Sequence, residues 1–100
     1  MQYAVKFSRQ AVQDLRAICD WYEEKSSGLS EQFLDTLQLT IDQIAENPHR
    51  YMEKEGGARM ALLPKFPYKV FYMVNETKHA VRVIVLMHRA RHPNVWQKRL

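Results

Sequence analysis

The 100-residue chain lacks several features that would mark other protein classes. Its single cysteine, Cys19, excludes an intramolecular disulfide, and the helical pattern around it predicts a small core residue. No apolar run approaches the roughly 20 residues that a membrane-spanning helix needs, and residues 1–6 contain no apolar signal core. The sequence also lacks internal repeats, low-complexity tracts and linkers. We therefore expect one soluble, cytoplasmic domain over residues 1–100, with no membrane partner.

Acidic residues are scarce in the second half of the chain. Residues 1–47 contain four basic and eight acidic side chains, a net charge of −4, whereas residues 48–100 contain eleven and three, a net charge of +8. No carboxylate side chain follows Glu76. This asymmetry predicts one basic face that meets an anionic partner, with nucleic acid, an acidic peptide and an acidic protein surface all still open. The composition, 46% hydrophobic and 26% charged, is that of an ordinary globular protein.

Strand patterns occupy the second half. Three runs rich in β-branched, aromatic and aliphatic residues, separated by proline-containing or polar breaks, predict an antiparallel meander across residues 58–88. Apolar residues on both faces of the run 68–74 predict a central strand. An earlier alternating segment, residues 2–7, predicts a short first strand.

Two helical patterns lie between these strand regions and predict an antiparallel hairpin across residues 8–47. Ser8 and Ser30 are predicted N-caps, Gly28 a left-handed helix end, and Asn47-Pro48 the stop of the second helix. The first helix is expected to carry Asp14 on its solvent-facing side. The hairpin is expected to pack on one face of the sheet through six residues: Leu15, Ile18, Leu34, Leu37, Ile41 and Ile44. The predicted fold class is therefore α+β.

The order of elements and two motifs together resemble the RelE/ParE superfamily of type II toxin–antitoxin toxins. The motifs are Arg59-x-x-Leu62-Leu63-x-x-Phe66-Pro67-Tyr68-Lys69-Val70-x-Tyr72 and Val85-x-x-His88-x-x-Arg91-x-Pro93-x-x-Trp96. The resemblance covers essentially the whole chain. It implies a compact α+β toxin that is neutralised by a cognate antitoxin. It also implies one of two activities: inhibition of DNA gyrase, as in ParE-like members, or cleavage of mRNA in the ribosomal A site, as in RelE-like members.

The resemblance also implies which residues form the site. Lys69 and Arg89 occupy the family's basic positions, and Arg59 and Arg91 would add charge. Trp96 is a further candidate binding residue, although as a residue it is expected to plug the open end of the sheet as an apolar anchor. RNA cleavage without a metal needs a general base, a general acid and cations beside the phosphate. RNA-cleaving members often have a Tyr or His near the C-terminus for proton transfer. In this chain that region offers Trp96, whose indole N–H can only donate a hydrogen bond. His88 or His92 would then be the catalytic groups.

Three functions remain open from the sequence. A ParE-like toxin that binds a protein target is favoured by the long helical hairpin and by the missing C-terminal acid–base residue. The alternatives are a ribosome-dependent RNase that uses Lys69, Arg89 and a histidine, and a basic nucleic-acid-binding module without toxicity. We expect no metal, since His88 and His92 have no further ligands at suitable spacing, and no other cofactor. Lys98 and Arg99 are expected to form an ordinary charged tail.

Overall fold

The computed structural model describes residues 2–91 and 98–99. Two helices and a five-stranded sheet follow the chain in the order β1 (Ala4–Phe7), α1 (Arg9–Lys25), α2 (Leu29–Glu46), β2 (Met52–Glu53), β3 (Arg59–Leu62), β4 (Tyr68–Asn75) and β5 (Ala80–His88). The strand order across the sheet is β1-β5-β4-β3-β2, and β1 is parallel to β5 while the other pairs are antiparallel. The predicted α+β class, meander and central position of β4 are confirmed. Neither helix in the described ranges is long and apolar enough to cross a membrane.

The helical hairpin and one face of the sheet form the main core. Leu37 and Ile41 are 4% and 9% exposed, as the helical periodicity predicted. The prediction for Leu34 was wrong, because this side chain is 40% exposed and the fully buried residue is its neighbour Phe33. Adjacent helical positions differ by about 100° around the axis. The buried stripe of α2 is therefore centred on Phe33, Leu37, Ile41 and Ile44, and Leu34 lies at its margin.

The two predicted serine caps have different outcomes. Ser8 caps α1, since its side-chain oxygen accepts the Ala11 N–H at 3.1 Å. The Ser30 cap was wrong: α2 begins at Leu29, directly after Gly28 in the left-handed region, and Ser30 Oγ donates to Glu23 Oε2 at 2.6 Å. Glu23 also accepts the Gly28 N–H at 3.2 Å. This carboxylate at the end of α1 therefore ties the interhelical turn to the start of α2, and Ser30 lies inside the first turn of the helix rather than before it.

The connection after α2 contains more structure than its polar sequence indicates. The two-residue strand β2 pairs with β3, with Met52 opposite Met60. Tyr72 of β4 donates its hydroxyl to the Pro48 carbonyl oxygen at 2.6 Å, and this bond is buried. Burial also raises the pKa of Tyr72 above its ordinary range. The hydroxyl therefore stays protonated and fixes the connection to the centre of the sheet.

A bulge in β5 divides the apolar residues between the two faces of the sheet. Phe71 is opposite Val85 but Tyr72 is opposite Val83, so Ile84 is an extra residue. Tyr72 and Val83 belong to the core beneath the helices. A second cluster contains Phe71, Val85 and Met87, and the side of the sheet that carries it is called the second face below.

The outer edge of β5 is closed in two ways. β1 pairs only with residues 80–83 of β5. Beyond these residues, side chains supply hydrogen-bond partners for the backbone of β5. Asp14 of α1 accepts the Leu86 N–H at 3.1 Å, and Arg99 donates to Asp14 at 2.6 Å and 3.2 Å and to the Ile84 carbonyl oxygen at 3.0 Å. The predictions of a solvent-facing Asp14 and an ordinary charged Arg99 were wrong. An edge strand needs partners for its backbone groups, and this pair, called the edge clasp below, supplies them.

Candidate binding site at the basic end of the sheet

The antiparallel pairing of β4 and β5 brings Lys69 and Arg89 to the same end of the sheet. Lys69 is opposite Met87 on β5 and opposite Leu62 on β3, which places its side chain on the second face. Arg89 follows β5, donates its backbone N–H to the Pro67 carbonyl oxygen at 2.8 Å and reaches the Leu63 carbonyl oxygen with Nη2 at 3.5 Å. Both cations therefore lie beside the end of β3.

His88 lies on the other face of the sheet. It is opposite Tyr68, whose ring contacts the His88 ring edge-on at a centroid distance of 5.4 Å. The Ala90 N–H donates to His88 Nδ1 at 3.0 Å. The lone pair of His88 Nδ1 is thus engaged with the backbone of the following turn.

Arg59 is separated from this group. It is opposite Tyr72 in β4, three residues from Lys69 along the strand and on the helix side of the sheet. Its Nη1 donates to the Tyr51 carbonyl oxygen at 2.7 Å and to that of His49 at 3.4 Å. These bonds fix the connection after α2, which gives the guanidinium a structural role. Arg59 lies away from the basic end that carries Lys69 and Arg89.

Arg91 lines a shallow groove of about 250 Å³ between α1 and the end of β5. Trp21, which is 51% exposed, and Tyr68 line the same groove. Burial raises the pKa of the Tyr68 hydroxyl. Asp14 also borders the groove, but Arg99 and Leu86 already occupy its oxygens.

Trp21 was not among the residues proposed from the sequence. It is 51% exposed, whereas its neighbour Tyr22 is 8% exposed and belongs to the core. Lys25 Nζ lies 4.9 Å above the Trp21 ring. Two other sequence-predicted residues, His92 and Trp96, lie outside the described residues.

The described part of this end therefore provides cations and an aromatic groove without an unoccupied acid–base pair. Cations at strand ends bind anionic groups on proteins and on nucleic acids alike. Chemistry at a phosphate needs, in addition, a group that can remove a proton. Among the described residues no group of three or more His, Cys, Asp and Glu side chains is placed to hold a metal ion.

Comparisons with known proteins agree with this fold. Residues 5–93 match the family model for the ParE toxin of the type II toxin–antitoxin system parDE. A chain of the chromosomal ParDE system from P. aeruginosa superposes with a TM-score of 0.74 at 16% identity, covering 87% of this chain and 96% of that one. No match was found among curated protein sequences.

RelE structures have the same architecture. A double mutant of the E. coli RelE toxin in the free state gives a TM-score of 0.70 at 21% identity, covering 99% of this chain and 95% of that one. The toxin–antitoxin complex RelBE2 from Mycobacterium tuberculosis gives 0.63 at 16% identity, covering 89% and 100%. The family model spans most of the sequence, and the fold is that of both toxin groups. The chain therefore belongs to the ParE toxin family of type II toxin–antitoxin systems, within the RelE/ParE superfamily.

Proposed function

We propose that this protein is a ParE-like toxin that inhibits DNA gyrase by binding it, and that a cognate antitoxin neutralises it. The observation that carries the proposal is the hydrogen bond that His88 accepts from the backbone. Its Nδ1 accepts the Ala90 N–H, and no carboxylate that the structure describes is unengaged near Lys69 and Arg89. A surface with cations and no available base is suited to binding rather than to catalysis.

The family match supports the same choice, because it is the ParE model that fits residues 5–93. Binding a protein target also suits the exposed apolar side chains of the hairpin, Trp21, Leu34 and Leu39, which are 51%, 40% and 63% exposed. Exposed apolar groups beside charged ones are common at protein interfaces.

The antitoxin is proposed from the neighbours and from charge. The M. tuberculosis relative is a toxin–antitoxin complex, and residues 48–100 of this chain carry a net charge of +8. An acidic antitoxin segment with spaced apolar anchors would be steered to this half and would fold on it. Affinity between them should therefore fall as salt is raised.

The test is a supercoiling assay with purified gyrase, relaxed plasmid and ATP. We expect dose-dependent loss of supercoiling, and recovery when the product of the neighbouring gene is added. Removing both basic-end cations, as Lys69→Gln/Arg89→Gln, should reduce inhibition at least tenfold. The matched control Arg9→Gln/Arg16→Gln removes the same charge from exposed positions of α1 and should retain inhibition.

A ribosome-dependent RNase is the second candidate, because Lys69 and Arg89 both lie beside the end of β3, where together they would hold a phosphate. Translating ribosomes with a reporter mRNA distinguish it from the first. Cleavage of the mRNA by the wild type, with gyrase unaffected at inhibitory doses, would replace the gyrase proposal by this one.

A further inference from the structure

A second concentration of positive charge lies at the opposite end of the sheet. A groove of about 890 Å³ opens beside β1, β5 and the turn between β4 and β5. Three exposed cations line it, Lys6 from β1, Arg82 from β5 and Lys78 from the turn. We call this the β1-end groove. A concave surface of this size is in the range of ligand pockets.

Lys6 and Arg82 are direct partners in the parallel pairing of β1 with β5. Side chains at paired positions lie on the same face, so two positive charges are held side by side on the second face of the sheet. Like charges in this arrangement destabilise a sheet. None of the described carboxylates forms an ion pair with either residue. The fold itself therefore leaves this repulsion uncompensated.

The third cation is held in place by the turn. The Lys78 backbone N–H donates to Asn75 Oδ1 at 3.0 Å, which fixes the residue beside the groove. Glu76 also borders the groove, but one of its oxygens binds His49 and the other accepts the Tyr3 hydroxyl at 3.0 Å. This carboxylate, which lines the groove, is therefore already engaged with Tyr3 and His49.

Small side chains give the groove its depth. Ala4 is opposite Ala80, in the row next to Lys6 and Arg82. These two alanines leave a depression between the paired cations on one side and Lys78 on the other. The depression suits a compact anion surrounded by several donors better than an extended chain of carboxylates. Arginine and lysine together are the usual partners of a phosphate group.

We propose that the β1-end groove binds a phosphate group, carried by a free nucleotide or by the backbone of a nucleic acid, through Lys6, Lys78 and Arg82. The site is separate from the basic end. Lys69 is opposite Met87, five residues along β5 from Arg82, a distance of roughly 16 Å at the rise of a strand. The inference does not depend on gyrase being the toxin's target.

The test is a titration of the ¹⁵N-labelled full chain at constant ionic strength, followed by amide shifts. The probes are ATP, a single-stranded RNA of twelve nucleotides, and hexaglutamate. We expect ATP or RNA to shift the amides of Lys6, Lys78 and Arg82, and Lys6→Gln/Arg82→Gln to weaken that binding at least tenfold. Tighter binding of ATP would identify a free nucleotide, and tighter binding of RNA a nucleic acid backbone.

A matched control distinguishes binding at a specific site from general electrostatic attraction to a basic protein. Arg16→Gln/Lys25→Gln removes two exposed cations from α1 and should change affinity less than twofold. Lys6→Gln alone should raise Tm, because it relieves the repulsion across the strands. Equal losses in both double variants, a preference for hexaglutamate, shifts confined to the basic end, or a lower Tm for Lys6→Gln would each overturn the proposal.

Discussion

Removing the carboxylate of the edge clasp should be one of the most damaging single changes in the protein. Asp14→Ala leaves the Leu86 N–H without its acceptor and the Arg99 guanidinium without its counter-ion. An unsatisfied buried donor costs about 1–3 kcal/mol, and breaking a fully buried ion pair costs about 3–5 kcal/mol. Both side chains here are 19% exposed, so water offsets part of each loss. We expect a total of about 2–4 kcal/mol.

Urea unfolding followed by circular dichroism measures this free energy. Asp14→Asn should fall between Asp14→Ala and the wild type, because the amide oxygen still accepts the Leu86 N–H while the charge is gone. Asp20→Asn, an exposed carboxylate on the same helix, is the matched control and should stay within about 0.5 kcal/mol of the wild type. If Asp14→Ala were as stable as that control, the closure of the β5 edge by side chains would be refuted.

Two further changes probe the core and the end of the sheet. Leu37→Ala removes a side chain that is 4% exposed and should cost about 2–5 kcal/mol in urea unfolding; a loss below about 1 kcal/mol would contradict its burial. Glu76→Gln tests pH dependence, because the hydrogen bond from His49 lowers the pKa of Glu76 below its ordinary 4.5. The ionised carboxylate therefore stabilises the folded protein above pH 4.5. This stabilisation disappears as the pH falls through the lowered pKa of the folded state. The wild type should therefore have the higher Tm at neutral pH, with the difference shrinking below pH 4.5; a constant difference would show that the carboxyl charge is not responsible.

Local signals predicted the elements of this fold well. The alternation of β-branched and aromatic residues identified β4 and β5, and Asn47-Pro48 identified the end of α2. These features depend on residues close together in the sequence. The cap of α2 was wrong because the helix begins at Leu29, directly after the left-handed Gly28, so that Ser30 lies inside its first turn.

The features of the fold and of the candidate site that the sequence did not predict come from contacts between distant residues. Asp14 has the helical spacing of a solvent-facing residue. β1 pairs in parallel with residues 80–83 of β5 and leaves the later residues of that strand uncovered on this edge. Asp14 accepts a hydrogen bond from the backbone there, which its own spacing in the sequence does not indicate. The bulge at Ile84 likewise has no sequence signal in a continuous apolar run. Lys69 and His88 were grouped by their places at strand ends, and the pairing register then placed them on opposite faces.

The joining of both ends of the chain at β5 has a consequence for how the toxin is made. β1 has β5 as its neighbour in the sheet, and the clasp links Asp14 to Leu86 and Arg99, 72 and 85 positions away. Such contacts carry a large loop-closure entropy and slow the folding of a chain. During synthesis the first strand and the helices therefore have no complete sheet to pack on until the residues of β5 and Arg99 have been made.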